Sequence, residues 1–165
     1  MVDPRNTPAV GAAAPALRLP ADDGTTFDLA EQKGQYVVVY FYPKDDTPGC
    51  TTEACDFRDR MERFTAAGCA VVGVSPDPLK RHLRFRDKYA LPFVLVSDED
   101  KQTIDAWGAW GLKKFMGRES MGVLRSTYLI GPDGSVAGAW PKVRVKGHVD
   151  EVLAALEAHR AGTEG

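Results

Sequence analysis

Two cysteines, Cys50 and Cys55, follow a loop rich in turn formers, Pro43-Lys44-Asp45-Asp46-Thr47-Pro48-Gly49. A free thiol titrates near ~8.5 and reacts as its anion, so a nucleophilic cysteine needs a site that stabilises negative charge. The unpaired amides and positive dipole end of a helix N-terminus are such a site. Cys50 opens a helix-like pattern and is therefore expected to be acidic and nucleophilic. Taken alone, the same residue also fits a capping or packing cysteine, and Cys55 a small residue buried on a helix.

The spacing of the pair adds a constraint. On one α-helix, residues five apart have Cα atoms roughly 8–9 Å apart and side chains about 140° apart. A disulfide needs Cα atoms within ~7 Å. A Cys50–Cys55 bond therefore requires the first helical turn to unwind, which describes a two-state device: helical when reduced, locally unfolded when oxidised.

Positioning these residues takes a strand and a helix. Tyr36-Val37-Val38-Val39-Tyr40-Phe41-Tyr42 is an unbroken β-branched and aromatic run stopped by Pro43, the pattern of a strand covered on both faces. Beyond the loop, Ala54, Phe57, Met61 and Phe64 lie three and four apart, one face of an amphipathic helix. Thr51, Thr52 and Glu53 suit its first turn; Glu53 favours the dipole there and reads as a helix cap rather than a group that polarises the site. Gly68 closes it. Cys69-Ala70-Val71-Val72-Gly73-Val74-Ser75 is a second buried run, so strand, helix and strand make a parallel βαβ unit. Cys69 sits among apolar neighbours and reads as a packed, inert thiol.

The residues here meet a known family. Pro43-x-x-x-Thr47-x-x-Cys50 resembles the active-site motif of peroxiredoxins, and the run from Tyr40 to Cys55 is similar to their Q-type, or bacterioferritin-comigratory, subfamily. The resemblance covers about Gly11 to His159. It implies that Cys50 is the peroxidatic cysteine and Cys55 the resolving one. It implies that Thr47 hydrogen-bonds peroxide and thiolate, that Pro43 shields the thiolate from water, and that Arg125, in Arg125-Ser126-Thr127-Tyr128, is the family's second-site arginine. The activity implied is reduction of hydrogen peroxide and organic hydroperoxides by a monomer that thioredoxin or a similar dithiol regenerates. Without the resemblance, Arg125 is equally a surface residue, and the cysteine pair also fits a thioredoxin-type disulfide oxidoreductase or a non-enzymatic redox sensor. Against the oxidoreductase, four residues rather than two separate the cysteines.

The rest of the chain bounds the answer. At 165 residues it is expected to be a single domain, with an N-terminal arm over 1–15 and a tail over 161–165. Apolar residues make up 44%, enough for a core, and the net charge of −2 is dispersed, which argues against nucleic acid and membrane surfaces. Three cysteines without a visible secretory signal point to cytoplasmic thiol chemistry rather than a disulfide framework. His82, His148 and His159 make neither a zinc pattern with the cysteines nor a Cys–His protease signature, and no Gly-rich phosphate loop follows a strand, so no metal or cofactor is expected.

Leu17 to Phe27 reads as a short hairpin across Asp22-Asp23-Gly24, and Leu29 to Gln35 as a helical turn or loop. A helix capped by Asp77 runs to Tyr89, with Leu79, Leu83 and Phe85 or Tyr89 inward. Pro92–Ser97 is a strand and Asp98–Trp107 a short helix. Residues 108–124 read as a loop whose Trp110, Phe115, Met116 and Met121 line a pocket or docking surface, with Trp107 in the core. Arg125–Trp140 is a hairpin, and His148–Arg160 the last helix. This order predicts an α/β chain: a thioredoxin-like fold with a central mixed β-sheet, helices on both faces and a short N-terminal hairpin.

Overall fold

The computed structural model describes residues 7–164, with backbone alone for Phe115, Thr163 and Glu164. The first six residues of the expected arm, Gly165 of the expected tail and the Phe115 side chain lie outside the described residues. Strand β1 (Arg18–Pro20) pairs antiparallel with β2 (Thr26–Asp28), the short N-terminal hairpin expected. A 3₁₀ turn, Leu29–Gln32, leads to β3 (Tyr36–Phe41). Helix α1 (Pro48–Asp59) and helix α2 (Met61–Ala66) follow, then β4 (Cys69–Ser75), α3 (Leu79–Tyr89), β5 (Val94–Ser97) and α4 (Gln102–Ala106). The chain continues through β6 (Trp110–Phe115), β7 (Arg118–Val123), β8 (Ser126–Ile130) and β9 (Val136–Trp140) to α5 (His148–Glu164).

Five strands form the central sheet in the order β5-β4-β3-β8-β9. β3 runs parallel to β4 and antiparallel to β8, so the sheet is mixed. All six β3 residues are buried, and the two-residue period of a strand sends them alternately to two cores. Val38 and Tyr40 join Phe57, Phe64, Phe85, Val152 and Leu156 under α1, α2, α3 and α5. Val37, Val39 and Phe41 join Leu19, Ile104, Trp107 and Tyr128 on the other face, under α4 and the N-terminal hairpin. Covering on both faces is why this strand shows no polar alternation. This is the α/β thioredoxin-like layout.

Several elements differ from the sequence reading. The helix after the loop breaks at Arg60 into α1 and α2. Residues 108–124 are not an irregular loop: β6 and β7 pair from Trp110↔Val123 to Phe115↔Arg118. They turn over Met116 and Gly117, whose φ angles of 50° and 80° are the two left-handed residues of a tight hairpin. Both faces of this ribbon are partly solvated, so it lacks the apolar run that announces a core strand. Trp107 is in the core as expected, whereas Met116 and Met121 are exposed. Helix α3 begins at Leu79 after Pro78, with no cap from Asp77, and it buries His82 and Phe85 while Leu83 is exposed. α5 runs four residues past Arg160, because a glycine at 162 costs a helix only about 1 kcal/mol and no proline stops it. Residues 11–14 of the arm lie against β9 and the turn before it, with Gly11 N donating to Val136 O at 2.9 Å and Ala14 N to Gly134 O at 3.0 Å. Among the described residues no helix is long and apolar enough to cross a membrane, and no cluster of three His, Cys, Asp or Glu side chains could hold a metal ion.

Candidate active site

The register of the central sheet builds the site. Phe41 at the end of β3 pairs with Ser126 at the start of β8. The next residue after Phe41 leads into the Pro43–Gly49 loop, and the residue before Ser126 is Arg125. Two segments far apart in sequence thus meet at one sheet end. Val143 N holds the Arg125 carbonyl at 3.1 Å, and Ser126 Oγ donates to Leu124 O at 3.1 Å, so the backbone beneath the guanidinium is pinned on both sides.

Cys50 is the third residue of α1, after Pro48 in the first position, where a missing N–H costs nothing. Thr47 is the residue before the helix, in extended backbone, and its carbonyl accepts the first helical bond from Thr51 N at 2.8 Å. The amides of Gly49 and Cys50 have no helical carbonyl to pair with. Cys50 is 1% exposed, yet its sulfur is not left in an apolar cage: Arg125 Nη2 lies 3.3 Å from Sγ. The other terminal nitrogen, Nη1, donates to Glu53 Oε1 at 2.7 Å. One guanidinium therefore spans a sulfur and a carboxyl group three residues apart on one helix face.

Glu53 is not the helix cap that the sequence suggests. It lies one turn too far along α1 and is fully buried, and its Oε2 has no hydrogen-bond partner among the described residues. Burial, opposed by the Arg125 charge, pushes its carboxyl up to about 7. Burial pulls the Arg125 guanidinium down, but Glu53 and Cys50 outweigh it, and the net direction is up. The Tyr40 hydroxyl, also buried without a partner among the described residues, is pushed well above its ordinary range, first by burial and then by Glu53 and Cys50.

The remaining expected residues lie on the loop before α1 and further along the helix. The Thr47 hydroxyl donates its one hydrogen to Lys44 O at 2.8 Å rather than to the Cys50 sulfur that the resemblance implies, leaving its oxygen lone pairs to accept. Pro43 and Arg125 line one end of a cavity of about 970 Å³, whose walls include Trp110, Leu112, Leu124 and Val143. Cys55 lies on the same helix as Cys50, half-buried, and burial raises its thiol. Both are free thiols. Cys69 is buried in β4, and burial pushes its thiol up to about 12, the inert state expected of a packed cysteine.

Comparison with known proteins decides the family. The AhpC/TSA family model matches residues 10–139. The chain belongs to the AhpC/TSA family. Peroxiredoxin Bcp of Bacillus subtilis strain 168 is 49% identical over 148 residues, 90% of this chain and 94% of its own. The bacterioferritin comigratory protein of Xanthomonas campestris is 42% identical and superimposes with a TM-score of 0.85 over 92% of this chain and 99% of its own. A cysteine-to-serine variant of the Xylella fastidiosa peroxiredoxin Q superimposes with a TM-score of 0.88 at 35% identity, covering 94% of this chain and 99% of its own. Within the AhpC/TSA family this chain is a peroxiredoxin of the Bcp, or Q, type, and so a thiol peroxidase.

Proposed function

We propose that this peroxiredoxin reduces hydrogen peroxide and alkyl hydroperoxides at Cys50, and that Cys55 resolves the product within the same chain. The observation that carries the reading is the 3.3 Å contact between Arg125 Nη2 and Cys50 Sγ at the start of a helix. A guanidinium and two unpaired amides favour negative charge on the sulfur and on the oxygen that departs as the O–O bond of the peroxide breaks.

In the first step the Cys50 thiolate attacks the terminal oxygen of R–O–O–H. An S–O bond forms, the O–O bond breaks, and its electron pair leaves on RO⁻, which takes a proton to become ROH. Cys50 is oxidised by two electrons to a sulfenic acid. Arg125 stabilises the departing oxygen, while Thr47 orients the peroxide and Pro43 keeps water from the sulfur. The apolar walls beside Arg125 give an alkyl group somewhere to lie, and the Xanthomonas campestris relative carries an alkyl peroxide reduction activity. In the second step the first turns of α1 unwind, and the Cys55 sulfur attacks the sulfenic sulfur. An S–S bond forms and water leaves. An external dithiol of the thioredoxin kind then reduces the disulfide by exchange and becomes oxidised itself. The whole chain acts as one domain, as a monomer in the cytoplasm.

A coupled assay with thioredoxin, its reductase and a peroxide tests the reading. Wild type should consume peroxide and Cys50→Ser should not; substantial turnover by that variant would remove Cys50 from its role.

A further inference from the structure

The loop that leads into α1 is anchored by a buried side chain that the chemistry above does not use. Asp45 is completely inaccessible to solvent. Its Oδ1 accepts a hydrogen bond from the Tyr42 hydroxyl at 2.5 Å. Its Oδ2 lies 2.6 Å from His82 Nδ1, and its own N–H donates to Asp77 Oδ2 at 2.6 Å. His82 is equally buried, and its Nε2 lies 3.0 Å from the Val96 carbonyl.

The chemistry of these partners fixes the protons. A carbonyl only accepts, so His82 Nε2 carries a hydrogen. Burial, then the Asp45 charge, raises the Tyr42 hydroxyl well above its ordinary range, so it stays protonated and donates to Asp45. One proton therefore lies between Asp45 Oδ2 and His82 Nδ1, and Tyr42, Asp45, His82 and Val96 form one chain of satisfied bonds. The neighbouring Asp46 has a φ of 58° and holds Lys88 Nζ and the Tyr89 hydroxyl, each at 2.8 Å. Those contacts are exposed and secondary. The buried chain ties the loop to α3 and, through Val96, to β5.

Just four residues, Asp46-Thr47-Pro48-Gly49, separate this anchor from Cys50. On the proposed mechanism the first turns of α1, which begin at Pro48 just beyond the anchor, unwind in every cycle and must wind again from a fixed start. We propose that Asp45 and His82 are positioning residues for the peroxide step: they fix the loop end from which the Cys50 turn winds beneath Arg125. This rests on Cys50 being the peroxidatic sulfur. The two chemical steps then respond in opposite senses. A loosened anchor misplaces Cys50 and slows its reaction with peroxide, while it eases the unwinding that lets Cys55 reach the sulfenic acid.

Rapid-mixing kinetics on Asp45→Ala, Asp45→Asn and Tyr42→Phe test this, with hydrogen peroxide as substrate and intrinsic fluorescence and sulfenic-acid trapping as readouts. Asp45→Ala should react with peroxide at least ~10-fold more slowly, since displacement of a reacting group by about an ångström carries such costs. Its disulfide should form at the wild-type rate or faster. Asp45→Asn should recover to within ~3-fold of wild type, because its amide N–H can donate to neutral His82 and its amide oxygen still accepts from Tyr42. Equal slowing of both steps in Asp45→Ala, equal slowing of Asp45→Ala and Asp45→Asn, or a wild-type peroxide rate in Asp45→Ala would each overturn the inference. If Asp45→Ala does not fold, Tyr42→Phe decides: it should slow the peroxide step alone, and a wild-type rate there refutes the proposal. Failure of wild-type Cys50 to take up oxygen at all would instead refute the peroxidatic reading.

Discussion

Glu53 and Arg125 form a buried ion pair, Oε1 to Nη1 at 2.7 Å, and the same guanidinium reaches Cys50. The carboxyl and the sulfur therefore compete for one positive charge. On the proposed mechanism, protonation of Glu53 leaves Arg125 to the sulfur and the departing oxygen.

Glu53 is held at about 7, against an ordinary 4.5, chiefly by burial. A carboxyl raised on folding holds a proton that the unfolded chain has lost, so stability falls as pH rises from about 4.5 to 7 and then levels. Glu53→Gln lacks this loss. Relative to wild type, it should gain on the order of 2–3 kcal/mol between pH 5 and pH 8 in urea unfolding. Its peroxide rate should also lack a pH inflection near 7. Superimposable pH profiles for the two proteins would contradict the competition.

His148 gives the opposite slope. Burial, helped by the Arg125 charge, lowers it to about 4 while its Nε2 lies 2.8 Å from Thr127 Oγ1. It must stay neutral to fold, so stability present above pH 6.5 is lost as pH falls towards 4. His148→Gln should flatten acid denaturation in that window by on the order of 2 kcal/mol. An unchanged acid limb would show that His148 does not titrate with folding.

Gly49 sits directly against the guanidinium: a Cβ there would lie 3.2 Å from Arg125 Nη2. The guanidinium already has partners on two sides and yields poorly. Gly49→Ala should fold normally yet react with peroxide ~10-fold more slowly, measured by rapid mixing. A wild-type rate would mean that Arg125 can shift without cost.

The local part of this site was legible in the sequence, and the tertiary part was not. Cys50 at the start of a helix follows from a buried run, a Pro- and Gly-punctuated loop and an apolar face, all adjacent between Tyr36 and Phe64. Arg125 was reached through family resemblance alone, because it meets Cys50 from 75 positions away through the β3–β8 register. Asp45 reads as part of a loop, Glu53 as a cap and His82 as a histidine in neither a metal nor a protease pattern, since polar groups bury only where a specific partner meets them. For α3, Phe85 is buried as the spacing suggests and Leu79 half-buried, but Leu83 is exposed, and His82, whose partners lie on other elements, takes the inward place. The Met116-Gly117 step was a usable hairpin signal, and the partly solvated ribbon around it hid the strands.

Oxidation should join Cys50 to Cys55 and unwind the turns between them. Both lie within α1, and helical geometry keeps their Cα atoms beyond disulfide range. Peptide mass mapping of peroxide-treated wild type should find that bond, and far-ultraviolet circular dichroism should lose helix signal that Cys55→Ser retains. A Cys50–Cys69 linkage would give the resolving role to Cys69.

Treatment of Cys55→Ser with one equivalent of hydrogen peroxide, followed by sulfenic-acid trapping and peptide mass analysis, tests the peroxidatic role of Cys50 most directly. The label should fall on Cys50 and vanish when Arg125 is also replaced by Met under the same brief exposure. Label on Cys69, or equal labelling of Cys50 with and without Arg125, would contradict the claim that the guanidinium at the helix start makes this sulfur the reactive one.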